Sequence, residues 1–128
     1  MGAKLHIIDK PSFDISSKAA KRAGLDYWDD LQLDLHENWE EFFEKILQKD
    51  RIFLFTKFAT TLYSSIQFQK GDYFVFGQET AGLPKFIHDS VLESQRLYLP
   101  MLPISRSINL SNSVAIAVYE GIRQIGLN

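Results

Sequence analysis

The 128-residue sequence contains no cysteine. The lack of thiols excludes disulfides and thiolate metal sites, and it is compatible with the reducing environment of the cytoplasm. No apolar run approaches the roughly 20 residues that span a bilayer, and the N-terminus has no hydrophobic signal core. We therefore expect a cytoplasmic protein with no membrane partner, folded as one domain over residues 1–128.

The net charge is also small, at −2, because 14 lysines and arginines nearly balance 16 aspartates and glutamates. This balance argues against a protein held to nucleic acid by its overall field, so any RNA contact must be local. The nucleotide-binding patterns G-x-G-x-x-G and G-x-x-x-x-G-K-[ST] do not occur. His6, His36 and His88 lie on separate predicted elements without metal-ligand spacing. Each is predicted to be a surface or capping histidine, and no metal site is predicted.

What is present is hydrophobic patterning, with 45% hydrophobic and 13% aromatic residues. Leu5 to Ile8 are predicted to form a strand, and the turn-forming residues 9–11 end it. The segment "LQLDL" (residues 31–35) alternates leucines with polar residues, as a half-buried strand does. Asn38 can cap a helix whose apolar stripe is predicted to lie in the core. That stripe is Trp39, Phe42, Phe43, Ile46 and Leu47.

Three continuous apolar runs, "RIFLF", "YFVFG" and "RLYLP", are typical of strands covered on both faces, as in parallel sheets packed between helices. The fold class is therefore predicted to be α/β, with a mostly parallel sheet flanked by helices. The segment Lys57 to Lys70 is equally compatible with a loop and with a short helix.

In such sheets ligands bind beyond the carboxyl ends of the strands, and three segments follow such ends. The first begins with Thr56 and Lys57, a hydroxyl and a cation at the end of a strand. The second is "GQETAGLP", whose glycines would let a ligand approach the backbone, although an ordinary strand-to-helix turn explains it equally well. The third leads into residues 105–113, which hold seven polar side chains before an apolar run that looks like a buried helix.

The polar cluster has a simple explanation as a helix cap, because Ser111 or Asn112 could satisfy a free N–H group at the start of the last helix. One residue would suffice for that purpose. Seven polar residues can instead hydrogen-bond one another and hold a loop in a fixed shape against a ligand, so a functional loop is favoured. The last helix is also apolar over too wide an arc for one buried stripe, which predicts a homodimer.

In order, "FGQETAGLP", "LYLPM" and "SRSINLSNSVAIAVYEGIRQ", with "KRAGLDYWDD" upstream, resemble the SPOUT class of RNA methyltransferases. The resemblance is to the small single-domain enzymes that methylate the 2′-hydroxyl of the wobble nucleotide, cytidine or uridine 34, in leucine tRNAs. It implies a C-terminal deep trefoil knot, S-adenosyl-L-methionine (SAM) as cofactor without a metal, a homodimer, and the tRNA anticodon stem-loop as partner.

The same resemblance implies site residues, carried over motif by motif. The cofactor-binding residues it implies are Phe55, Gly77, Glu79, Gly82, Leu83, Leu99 and Ser107. The catalytic residues it implies are Ser107 and Asn109.

Family members also carry an earlier strand and an "N-T-G-N-x-G-R"-like segment whose arginine activates the ribose hydroxyl, and this sequence starts after that segment. We therefore expect this chain to bind SAM but to methylate tRNA very slowly or not at all. Two alternatives stay open at this point. One is a catalytically silent cofactor- or RNA-binding relative, and the other is an unrelated flavodoxin-like nucleotide-binding protein.

Overall fold

The computed structural model describes residues 5–8, 33–77, 82–100 and 110–126. The chain divides into two compact units, Met1–Leu47 and Gln48–Asn128. The single-domain organisation of residues 1–128 stays a prediction, and the turn expected at residues 9–11 lies outside the described residues. Among the described residues, no helix is both long enough and apolar enough to cross a membrane.

The first unit contains two parallel strands and a short helix. Strand β1 (Leu5–Ile8) pairs with β2 (Leu33–His36), and helix α1 (Trp39–Glu44) follows. The predicted cap is confirmed, because Asn38 Oδ1 accepts a hydrogen bond of 2.8 Å from the Glu41 backbone N–H. The predicted strand at Leu5–Ile8 is confirmed with the same bounds.

Two burial predictions in this unit are wrong. Leu35 is 56% exposed, whereas His36, on the other face of β2, is buried because its ring packs against the Phe42 ring at a centroid distance of 5.1 Å. Leu47 is 97% exposed because α1 ends at Glu44, so the helical stripe does not continue that far. Its earlier members Trp39, Phe42 and Ile46 are buried as predicted.

The second unit is built on a four-stranded parallel sheet with the strand order β4-β6-β3-β5. Its strands are β3 (Ile52–Phe55), β4 (Thr61–Leu62), β5 (Tyr73–Phe76) and β6 (Arg96–Tyr98). All four residues of β3 are buried, as expected for a central strand covered on both faces. The predicted parallel α/β fold is therefore confirmed. The ambiguous segment Lys57 to Lys70 contains β4 and the 3₁₀ turn Tyr63–Ser65.

The second unit also contains two helices, α2 (Lys85–His88), which lies between β5 and β6 in the chain, and α3 (Leu110–Ile125), which follows β6. Pro84 is the N-cap of α2. Helix α3 begins at Leu110, so Ser111 and Asn112 lie within its first turn, and the alternative explanation that one of them caps the helix is wrong.

Helix α3 is buried along one side rather than all round. Ala117 is fully buried, while Ile116 and Tyr119 are 40% and 63% exposed. The prediction that the apolar run at 114–119 is a buried segment is therefore wrong for these two side chains and for Ala115, which is also exposed.

Aromatic packing and the ion pair between Arg51 and Asp72 stabilise the second unit. Phe53, Phe55, Phe68, Leu97 and Ala117 form its buried cluster, and burying each phenylalanine contributes roughly 1.5–3 kcal/mol. At the edge of this cluster Arg51 Nε and an Arg51 terminal nitrogen donate to the two carboxylate oxygens of Asp72, at 2.7 and 2.6 Å. This fork-shaped pair ties the start of β3 to the segment before β5.

Candidate functional site

The carboxyl ends of three strands meet at one edge of the four-stranded sheet. Strand β3 has β6 on one side and β5 on the other, and all three run parallel. They end at Phe55, Phe76 and Tyr98. The three segments selected from the sequence therefore begin side by side, at the edge where open parallel sheets bind ligands.

Phe55 closes the core below this edge. Its side chain is 8% exposed and stacks on the Phe76 ring, with centroids 4.8 Å apart and planes at 12°. Because the ring is committed to packing, a ligand contact at Phe55 has to use main-chain groups. Leu99, one residue beyond β6, is half-buried against the same cluster.

Gly77 permits a close approach of the chain to itself. A Cβ at Gly77 would lie 2.3 Å from the Gly82 carbonyl carbon and 2.5 Å from the Leu83 nitrogen. The sequence-based explanation, a glycine that admits a ligand, therefore needs correction. What occupies the space beside Gly77 is the backbone of Gly82 and Leu83, which closes the glycine-rich loop at its base.

Gly82 presents the opposite situation. It has φ +68°, and among the described residues a Cβ built on it would meet no heavy atom within 4 Å apart from its chain neighbours; the residue is exposed. The left-handed conformation favours glycine, and the space on the side-chain side of its Cα is open. Leu83 beside it is half-buried, so an apolar side chain borders this open space.

The structure thus places five of the sequence-predicted residues at or next to the strand ends: Phe55, Gly77, Gly82, Leu83 and Leu99. Glu79, Ser107 and Asn109 lie outside the described residues. The roles given to those three stay predictions.

The segment after β3 carries a side chain that the sequence reasoning missed. Thr56 and Lys57 were selected as a hydroxyl and a cation at the strand end, but the next residue, Phe58, is 74% exposed. The Lys57 ammonium lies 5.4 Å from the centroid of the Phe58 ring. An isolated aromatic residue in a loop gives no signal in a hydrophobic-periodicity pattern, whereas a lysine beside it at a strand end could have pointed to it.

The first unit holds a histidine pair that chain spacing did not reveal. The parallel register places His6 opposite Asp34 and Ile8 opposite His36. His6 Nδ1 and His36 Nε2 are 3.0 Å apart, and an Asp34 carboxylate oxygen lies 4.0 Å from His6 Nδ1. The prediction of a surface or capping histidine is wrong for His36, because pairing of distant strands brings it into the core beside His6.

These three groups could hold a metal ion, since imidazole and carboxylate are zinc ligands. A different arrangement accounts for the short nitrogen–nitrogen distance. His36 Nδ1 is buried without a hydrogen-bond partner among the described residues. An unpartnered buried donor is costly, so the ring proton belongs on Nε2, which then donates to His6 Nδ1. The absence of a metal stays a prediction.

Comparison with known proteins identifies the family. Residues 1–119 match the family model described as the SpoU rRNA Methylase family. The chain belongs to this family. It is 44% identical to a tRNA (cytidine(34)-2'-O)-methyltransferase of Methylovorus glucosotrophus over 96% of this chain and 79% of that protein. It is 42% identical to the Escherichia coli protein of the same name, over 98% of this chain and 79% of that protein.

Solved structures agree with the SpoU methylase assignment. One, from work on 2′-hydroxyl methylation of cytidine or uridine 34 on tRNA, has a TM-score of 0.84 and 37% identity, covering 94% of this chain and 78% of that one. The predicted resemblance to RNA methyltransferases is therefore confirmed, and a flavodoxin-like protein is no longer an alternative.

Proposed function

We propose that this chain is a SAM-dependent tRNA methyltransferase that modifies the 2′-oxygen of the wobble nucleotide, cytidine or uridine 34, of leucine tRNA. The observation that carries the proposal is sequence identity of 42–44%, over 96–98% of the chain, to proteins named tRNA (cytidine(34)-2'-O)-methyltransferase. The substrate on this proposal is the anticodon stem-loop. We further propose a cytoplasmic location, supported by the lack of cysteine.

The described part of the strand edge supports SAM as the cofactor. Among the described residues, no heavy atom beyond the chain neighbours lies within 4 Å of a Cβ built on Gly82, which leaves space for a ligand on that side of the loop. The half-buried Leu83 and Leu99 supply apolar contact beside it. The main chain at Phe55 and Gly77, with Glu79 and Ser107, would complete the cofactor contacts.

The reaction on this proposal is an in-line transfer of a methyl group to a ribose oxygen. SAM supplies the methyl group on a positively charged sulfur, a good leaving group. The residues of the chain hold the ribose oxygen in line and help remove its proton, with Ser107 and Asn109 assigned to the catalytic positions. Positioning of this kind is a large contributor to catalysis, and a general base typically adds about 10²- to 10⁴-fold.

We also propose the C-terminal trefoil knot and the homodimer. Support for the knot is the likeness to the solved methyltransferase structure, with its TM-score of 0.84. Support for the dimer is helix α3, where Ile116 and Tyr119 are exposed and, three residues apart, share one face. Exposed apolar side chains grouped on a helix are typical of association surfaces.

Transfer of a labelled methyl group from SAM to leucine tRNA tests the function. The protein is used in excess over the tRNA, so that slow single-turnover transfer is still measured. The matched control is the same tRNA with a 2′-deoxyribose at position 34. We expect label in the natural tRNA and none in the control, and equal labelling of both would contradict the proposal.

A further inference from the structure

The five residues that follow β3, Thr56 to Thr60, hold an aromatic ring outside the core in a fixed position. The Thr56 N–H donates to the Leu97 carbonyl at 2.9 Å, and the Ala59 N–H donates to the Thr56 carbonyl at 3.4 Å. The Phe58 N–H donates to Thr56 Oγ1 at 3.3 Å. These bonds anchor the segment at both sides of Phe58, whose side chain is nevertheless 74% exposed.

The far end of the segment is anchored as well. Thr60 Oγ1 donates to a Glu93 carboxylate oxygen at 3.1 Å. The exposure of the Phe58 ring therefore does not come from a loose loop. An aromatic ring that is 74% exposed on an anchored segment leaves most of its surface free to bind a flat ligand.

Positive charge accompanies the ring. Lys57 Nζ lies 5.4 Å from the Phe58 ring centroid. The His88 ring is in an edge-to-face arrangement with the Phe58 ring, with the ring centroids 6.4 Å apart. Within the described ranges, no carboxylate lies within ion-pair distance of Lys57. An aromatic face next to a cation that pairs with no carboxylate of the described ranges matches the chemistry of a nucleotide, which presents a flat base and an anionic phosphate.

The position of the Phe58 ring indicates which kind of nucleic acid it would bind. Phe58 lies three residues beyond Phe55, which is at most about 10 Å of chain, and so it is near the strand edge to which we assign the cofactor. RNA bases can stack on protein side chains where they are unpaired, as in loops. An anticodon loop is such a segment, whereas a duplex would keep its bases inside the helix.

Resting on the proposed function, we infer that Phe58, with Lys57 beside it, is a stacking platform for an unpaired base of the tRNA loop next to the methylated nucleotide. Stacking on an aromatic side chain contributes about 5- to 150-fold to affinity for each base. Phe58 is on this account a positioning residue for the RNA, separate from the residues that contact SAM.

The test measures binding of a fluorescently labelled leucine anticodon stem-loop to the full chain. Phe58→Ala is expected to raise the Kd about 10-fold, and Phe58→Trp to restore it to within a few-fold of the original value. Leu92→Ala is the matched control, because Leu92 is another exposed apolar side chain, at 68%, without an aromatic face. This control is expected to change the Kd less than twofold. Lys57→Gln removes one cationic contact to phosphate, so the slope of log Kd against log salt concentration should fall by about one.

Two further measurements separate this inference from the proposed function. SAM affinity by calorimetry should be the same in Phe58→Ala as in the original chain, and methylation should fall through a higher KM for tRNA rather than a lower kcat. A Phe58→Ala variant that binds the stem-loop as tightly as the original chain would overturn the platform, even where methylation is found. Loss of self-association in place of RNA affinity would also overturn it and assign the ring to contact between two copies. Failure of the original chain to methylate tRNA would count against the proposed function itself.

Discussion

Replacement of Gly77 by alanine adds one carbon atom at the base of the glycine-rich loop and tests whether the loop needs the close approach seen there. The new Cβ would lie 2.3 Å from the Gly82 carbonyl carbon, 2.5 Å from the Leu83 nitrogen and 2.7 Å from the Gly82 oxygen. All three atoms are backbone, so no side-chain rotation relieves the clash. The loop base would have to open by about 0.7 Å or more, and overpacking of this kind costs about 1–3 kcal/mol.

The expected result is a Tm lowered by about 4–12 °C, since about 1 kcal/mol shifts the Tm of a chain of this size by about 4 °C. SAM affinity should fall at least about 10-fold, because Gly82 and Leu83 belong to the proposed cofactor loop. Differential scanning calorimetry gives the first quantity, and titration calorimetry on the folded variant gives the second.

Two other glycines provide the controls. Gly121→Ala lies in α3, and its Cβ would meet the Phe74 ring at 3.4 Å, an ordinary contact. Alanine also favours a helix over glycine by up to about 1 kcal/mol, so an unchanged or higher Tm is expected. Gly82→Ala adds left-handed strain of about 1–2 kcal/mol without a clash. A Gly77→Ala variant with original stability and SAM affinity would refute the assignment of Gly77 to the loop base.

Three further predictions concern stability and assembly. Asp72→Ala should cost about 3 kcal/mol in urea unfolding, because the Asp72 side chain is 3% exposed and its loss leaves Arg51 unpaired. Lys45→Ala removes the exposed Lys45–Glu41 pair and should lower the stability far less than Asp72→Ala does, and equal losses in the two variants would contradict this reasoning. Hydrogen bonds from neighbouring arginine and glutamine side chains lower the pKa of Glu120 from 4.5 to about 2. The stabilisation from Glu120 is therefore fully present above pH 4.5 and is lost as the pH falls towards 2. Glu120→Gln should accordingly be less stable than the original chain above pH 4.5 and as stable as it near pH 2. Tyr119→Asp should convert a dimer to a monomer in light scattering, and an unchanged mass would remove α3 from the interface.

The strands were the most predictable part of the fold. Leu5–Ile8 and Ile52–Phe55 were visible as short apolar runs because a buried strand needs little else to be stable. Burial was less predictable where a partner distant in sequence decides it. His36 is buried because of Phe42 and His6, and no periodicity within β2 contains that information.

The site was predictable in position and less so in its physical explanation. Parallel strands bring their carboxyl ends together, so the loops after Phe55 and Phe76 could be located from the apolar runs. The reason why position 77 needs a glycine could not be predicted, because the atoms that a Cβ there would meet belong to Gly82 and Leu83. That contact exists only once the loop is folded. The exposed ring of Phe58 was missed because solvent exposure is a property of the folded surface.

The central claim is that this chain transfers a methyl group from SAM to one ribose oxygen of leucine tRNA. Nuclease digestion of the treated tRNA followed by mass spectrometry of the fragments tests it most directly, because ribose and base methylation give different nucleosides. The account predicts one added methyl group, on the ribose of nucleotide 34. A methyl group on a base, on another nucleotide, or on no nucleotide after prolonged incubation with folded, SAM-binding protein would contradict it.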